Sequence, residues 1–173
     1  YYSRYFCADW RTVVLMPELP EVETVRRGLA DLLLGRRVVA VDFDWPKGFP
    51  NAPEDTKAFL IGATVTAIRR RAKVLLIDLS TDYTLVIHLK MTGQLVFRGE
   101  SSFGAGHPND SLVGALPDKS TRVTITFRDG SQLFFNDQRK FGWIRLLPTV
   151  EVPHIDFMKK VGPEPLEAEF TAS

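Results

Sequence analysis

The chain has 173 residues, 45% of them hydrophobic, which suits one packed domain or one domain with an appendage; no run of eighteen apolar residues offers a membrane span. The formal charge is +1, and Arg4 and Arg11 against Asp9 already account for it, so the stretch from Met16 onward is neutral and bulk charge decides nothing about a polyanionic partner. Cys7 is the only cysteine and the three histidines (His88, His107, His154) are scattered, so neither a disulfide nor metal chemistry is expected within this chain.

Residues 1–15, YYSRYFCADWRTVVL, hold no continuous apolar segment; a secretory signal is not expected and a cytoplasmic location follows. Residues 17–34 predict an amphipathic helix. Leu19, Val22, Val25, Leu29, Leu32 and Leu33 recur at helical spacing, the polar face carries Glu18, Glu21, Arg26 and Arg27, and Gly35 is the stop signal. RVVAVDF (37–43) predicts a strand, a Pro/Gly-rich loop spans 45–53, and PEDTKAFLIG predicts a short helix ending at Gly62. Strands are expected near 63–70, 73–80, 83–90 and 94–97, with STDY as a tight hairpin between the middle pair.

Residues 99–120, rich in Gly, Ser and Pro, predict a long loop of functional size. In RVTITFRDGSQLFFND, Val123, Ile125 and Phe127 alternate with Thr124, Thr126 and Arg128, and Asp129-Gly130 supplies the turn of a hairpin. A last strand, GWIRLLP, ends at Pro148, and the tail VGPEPLEAEFTAS follows a Pro-rich joint of the kind that precedes a new unit. About eight short strands with local turns predict an α+β, mostly β fold: a two-layer antiparallel β-sandwich with the N-terminal helix packed against it.

Local charge is more informative than bulk charge. IRRRAK (68–73) is a dense basic run and PELPEVE (17–23) an acidic one. As a true N-terminus, Pro17 would present a secondary amine with a pKa of about 7.7 to 8.0, partly neutral and nucleophilic near pH 7. Condensed with an aldehyde-level carbon it gives a permanently cationic iminium, an electron sink. The helix start disfavours the ammonium form while Glu18 favours it, and Glu18 is one residue away as a general acid. The same residues also suit an ordinary helix start, since proline lacks the N–H left over there and acids favour the first turn.

RRAK (70–73), HLKMTGQL (88–95), NDQRKFGW (136–143) and GPEPL (162–166) follow MPELPEVETVRRGL in that order. Together these five blocks resemble the formamidopyrimidine-DNA glycosylase family, over Met16 to about Phe170, and the opening MPELPEVE is similar to its oxidised-purine branch. The resemblance implies a catalytic set of Pro17, which attacks C1′ and forms the Schiff base; Glu18, which protonates the sugar; and Lys73, which approaches the lesion and its phosphate and helps β-elimination. Glu21 is implied in a supporting role. Taken alone, Lys73 also reads as a solvated strand residue.

Met91, Arg139 and Phe141 match the residues that fill the hole left by a flipped-out lesion. Phe141 can wedge between bases, Met91 is a flexible apolar plug, and Arg139 can donate to the orphaned base. Met91 and Phe141 also read as ordinary core, but both lie at strand ends, where a side chain is presented more readily than buried. Arg122 stands where the family commonly has a DNA-contacting histidine; it keeps its charge at any working pH and still suits a phosphate. His88 is expected either to touch a phosphate or to cap a strand.

Two departures accompany the resemblance. The 99–120 loop is longer than usual for the family, and the family's second half, a helix–two-turn–helix domain and a zinc finger, is absent. Weak DNA binding is expected from the chain as written. No cofactor is expected within it, the family's zinc belonging to that second half. Leu15-Met16 would also make Pro17 a tertiary amide without a nucleophilic lone pair, so the chain as written is expected to be inactive, with Met16 as the true start and residues 1–15 an upstream extension. The expected organisation is this extension, a catalytic domain over 16–150, and a linker with the start of the next domain over 151–173. The implied function is a monomeric, nucleoid-associated bacterial glycosylase and AP lyase acting on double-stranded DNA with oxidised purines or abasic sites. The alternative is an inactive damaged-DNA-binding protein with Pro17 blocked.

Overall fold

The computed structural model describes residues 19–43, 45–107 and 109–160. Helix α1 (Leu19–Leu33) ends two residues before Gly35, whose φ of +82° provides the left-handed exit that glycine adopts without penalty. Val22, Val25, Leu29 and Leu33 form its buried stripe. Strand β1 (Val38–Phe43) follows, then a short helix α2 (Pro53–Asp55) that continues as a π-helical segment (Thr56–Leu60) to Gly62.

The rest is mostly strand: β2 (Val65–Arg71), β3 (Val74–Leu79), β4 (Tyr83–His88), β5 (Gly93–Arg98), β6 (Ser102–Gly106), β7 (Thr121–Phe127), β8 (Gln132–Asp137) and β9 (Trp143–Pro148). They form two antiparallel sheets, β1-β7-β8-β5-β6 and β2-β3-β4-β9. One large apolar core lies between them, and α1 packs on β2 of one sheet and β6 of the other, closing that side of the sandwich. Over the other sheet's edge, Asn51 holds β9: its Oδ1 accepts from Leu146 N at 2.8 Å, and Ile144 N donates to Gly48 O at 2.6 Å.

The sandwich, its antiparallel pairing and the packed N-terminal helix agree with the sequence reading. The ninth strand does not: β6 lies inside the stretch expected to be loop. SFGAG has two glycines and little β propensity, so its pattern does not read as strand. It pairs on one side only, Leu95 opposite Ala105 and Phe97 opposite Phe103, under α1. Phe103 lies so close to the helix that a methyl on Gly28 would fall 2.3 Å from its ring. The small residues are what let the helix approach.

The remainder of that loop is strapped to the sheet. Gln94 Nε2 donates to Asn109 Oδ1 at 2.7 Å and to His107 O, Asn136 Nδ2 donates to Gln94 Oε1 at 3.2 Å, and Arg98 donates to the Leu112 carbonyl at 2.9 Å. Beyond β9, a 3-10 turn (Thr149–His154) and α3 (Asp156–Lys159) lay Val152 and Met158 on Val74, Leu76 and Val86. This second small core explains why β3 and β4 are buried on both faces.

Candidate functional site

The ladders place one end of both sheets together. Val74, His88 and Trp143 are paired neighbours at the end of the four-stranded sheet, and Gly93 pairs with Asp137 at the end of the five-stranded one. Two short crossovers, 88–93 and 137–143, join the sheets there, beside the β2–β3 turn and the start of β7. Lys73, His88, Met91, Arg122, Arg139 and Phe141 all belong to these segments.

Three of the turns contain a residue that bears a side chain yet adopts positive φ: Ala72 at +50°, Lys90 at +52° and Lys140 at +60°. Each costs roughly 1 to 2 kcal/mol relative to an extended or right-handed residue, and each immediately precedes a candidate: Lys73, Met91 or Phe141. Phe141 is 53% exposed, Arg139 is exposed and Met91 is half-buried. An aromatic ring held in solvent on a constrained turn is presented for contact, not stored in the core.

Glycine is required in both crossovers. A Cβ on Gly93 would sit 2.3 Å from the Leu89 carbonyl oxygen, and one on Gly142 would sit 2.7 Å from that of His88. Thr92 and Asp137 are buried between the two crossovers, and Arg122 Nε donates to Asp137 O at 3.0 Å, fixing the guanidinium beside them.

His88 is 5% exposed, between Trp143 and Phe157. Burial foremost, and then the positive charges of Lys90 and Lys73, push its pKa down to about 4. The ring is therefore neutral at pH 7, and its Nδ1 accepts the Lys90 backbone N–H at 3.0 Å, capping the turn.

Helix α1 is tied to this end by Glu23. Its carboxylate accepts from Arg70 Nε at 2.7 Å, Arg26 NH2 at 2.7 Å and Arg27 Nε at 3.1 Å; Arg70, at 5% side-chain exposure, also donates to Ala72 O at 3.1 Å. Burial raises the Glu23 carboxyl, but the hydrogen bonds and charges of Arg26 and Arg70 outweigh that and hold it at about 2. One ion pair thus links the helix to the turn bearing Lys73. Pro17 and Glu18 lie outside the described residues, as does the Glu21 side chain, although Glu21 itself is within α1.

A groove of about 550 Å³ lined by Ser111, Asp118, Lys119, Ser120, Arg122 and Gln138 adjoins the crossovers. A larger concavity of about 850 Å³, lined among others by Arg36, Arg37 and Arg128, opens at the opposite end of the sandwich, away from every candidate residue.

The profile of the formamidopyrimidine-DNA glycosylase N-terminal domain matches residues 16–144. The chain belongs to that family. It is 42% identical over 159 residues to the formamidopyrimidine-DNA glycosylase of Chloroflexus aurantiacus, covering 91% of this chain and 52% of the relative. It is 41% identical over 162 residues to that of a Jannaschia species, covering 90% and 53%. The chain thus spans about half the length of these curated relatives. Among solved structures, the Lactococcus lactis formamidopyrimidine-DNA glycosylase bound non-covalently to DNA containing an AP site superposes with a TM-score of 0.73 at 33% identity, over 88% of this chain and 53% of that one. The same bacterium's enzyme in complex with FAPY-dG-containing DNA gives 0.71 at 34%, over 86% and 51%.

Asp137 and Thr92 stand inside the family blocks NDQRKFGW and HLKMTGQL, yet sequence reasoning assigned roles only to their neighbours. For Asp137 the signal was a polar residue at the end of β8 in step with the inward Leu133 and Phe135; Thr92, in the crossover before β5, had none. Glu23 was missed on similar grounds: it directly follows Val22, at the border of the apolar stripe.

Proposed function

We propose that this domain is the catalytic half of a DNA glycosylase and AP lyase that removes oxidised purines such as 8-oxoguanine and formamidopyrimidines. The observation that carries the reading is the convergence of Lys73, Met91, Arg139 and Phe141 on constrained turns, and of Arg122 at the start of β7, at one end of the sandwich, with Phe141 presented to solvent. Cationic groups beside an exposed aromatic on a rigid frame suit a duplex: the cations meet phosphates, and apolar side chains replace a displaced base.

In the proposed reaction, the amine of an N-terminal Pro17 attacks C1′ of the flipped nucleotide, the damaged base departs, and Glu18 protonates the ring oxygen as the sugar opens to an iminium. Glu21 supports this end. Loss of a C2′ proton then expels the 3′ phosphate, and a second elimination expels the 5′ phosphate. Lys73 lowers the barrier by approaching the lesion's phosphate as charge develops. Phe141 and Met91 enter the stack and Arg139 donates to the base left opposite. Arg122 holds a phosphate, and His88 shapes the turn that bears Met91.

Among the described residues no three His, Cys, Asp or Glu side chains come together to hold a metal; the family's zinc is proposed to belong to the half of the relatives that this chain does not match. No described helix is long and apolar enough to cross a membrane. The partner proposed is duplex DNA carrying an oxidised base or abasic site, met by a monomer.

Borohydride trapping tests the reading. A protein begun at Pro17 and completed with the second half of a curated relative is expected to form a covalent adduct with 8-oxoguanine DNA, and its Pro17→Gly variant much less. Folded protein giving no adduct would overturn the enzyme reading; lesion-selective binding without an adduct would favour the damage-binding alternative.

A further inference from the structure

We propose that Asp137 is a positioning residue of the lesion interface: through Thr92 and Gly142 it couples the turn bearing Met91 to the turn bearing Phe141, so that the two apolar side chains meet the duplex as one unit. The inference rests on the reading that this end of the sandwich binds damaged DNA.

Asp137 is the last residue of β8 and is fully buried. One of its carboxyl oxygens accepts the Thr92 hydroxyl, from the crossover bearing Met91. The other accepts the Gly142 N–H at 2.7 Å, from the crossover bearing Phe141. Thr92 Oγ1 in turn accepts the Arg139 N–H at 3.3 Å. The ring of bonds therefore runs from one crossover to the other and back, with Arg139, Phe141 and Met91 on its rim.

Main-chain bonds extend the coupling. Asp137 N donates to Ser120 O at 2.8 Å and Asp137 O accepts from Arg122 Nε at 3.0 Å, which brings in the start of β7. The second crossover leaves the sheet at Asp137 and rejoins the other sheet at Trp143, so the side-chain bond to Gly142 closes that excursion on itself. A buried polar group is a poor source of stability compared with apolar packing, but a fully satisfied one specifies a single arrangement. Here that arrangement is the spacing between two side chains meant for one gap in a base stack. Gly142, where a Cβ would fall 3.0 Å from Asp137 Oδ2, lets its backbone come within reach of the carboxyl, and Gly93, with no room for a Cβ against the Leu89 backbone, keeps the other crossover tight.

Thr92→Val removes only the hydroxyl and touches neither Met91 nor Phe141. With the full chain alone, coupling predicts that the Gly142 and Arg139 amides exchange about ten-fold faster in T92V while amides inside β7 and β8 are unchanged. Titrated with a duplex carrying a tetrahydrofuran abasic analogue and with the intact duplex, T92V is expected to lose about ten-fold of the wild-type preference. Asp137→Asn is expected to do the same, and Thr92→Ser to restore both readouts. Unchanged Gly142 exchange in T92V would overturn the coupling. Faster exchange with the full preference kept would overturn the positioning role and leave a structural one. A wild-type chain with no preference would instead overturn the DNA-interface reading itself, which is a different result from a preference that T92V leaves intact.

Discussion

The two ends of the sandwich solve the same problem, turning the chain, with different residues. At the far end the positive-φ positions are Gly35, Gly62, Gly130 and Asp82, residues that enter the left-handed region readily, and the Arg36–Asp129 ion pair there is on the surface. At the other end they include Ala72, Lys90 and Lys140, and the polar groups behind them, Thr92 and Asp137, are buried. The left-handed positions at one end are residues that enter that region readily, whereas the other end places bulkier side chains there and buries a carboxylate behind them. Such a concentration is what a binding or catalytic site produces, because its side chains are selected for a partner and the fold has to hold them.

The largest contrast is predicted for alanine in place of glycine. Gly93→Ala or Gly142→Ala should cost about 3 kcal/mol or more, because the new methyl meets the main chain of Leu89 or of His88. Gly130→Ala has open space around it and should lose only about 1 kcal/mol, from φ alone. Denaturant unfolding of the three variants decides the matter; equal losses would break the comparison.

Glu23→Gln is expected to cost about 3 kcal/mol by the same measurement, since it removes the carboxylate charge that Arg26, Arg27 and the buried Arg70 share. In wild type the sign follows from the lowered pKa. The Glu23 contribution is complete above about pH 4.5 and is lost as pH falls toward 2.

His88 gives a separate window. Its folded pKa lies below the ordinary 6.5, so the unfolded chain binds the proton more readily, and stability is lost as pH falls from 6.5 toward 4. A loss of roughly 3 kcal/mol is expected across that interval, and it should vanish in His88→Gln when unfolding is measured at a series of pH values. The smallest effect is expected at the strained turns: Lys140→Gly should change stability by at most about 1 kcal/mol, in the favourable direction, because relief of the left-handed conformation offsets the added freedom of glycine.

Much of the fold was legible in the sequence because its elements use local signals. The period of α1, the Asp129-Gly130 turn and the alternation of β7 each depend on neighbouring residues and are seen in the fold. What could not be read depends on distant contacts. β6 is a strand only because β5 offers an edge and α1 tolerates small residues beneath it. Asp137 reaches Thr92 across 45 positions and Glu23 reaches Arg70 across 47, and neither pairing leaves a periodic trace. The candidate site was legible through the order of its family blocks; its supports were not, since a buried carboxyl and a surface one look alike in a string of letters.

Phe141 and Val150 are both exposed hydrophobics, one at each end of the molecule, at 53% and 79%. Titrating an abasic duplex with Phe141→Ala and with Val150→Ala, alongside the wild-type chain, tests directly whether function resides at one end. The account predicts about a ten-fold or greater loss of affinity for the first, as expected when an aromatic leaves a base stack, and little change for the second. Equal affinities for the two variants would contradict it.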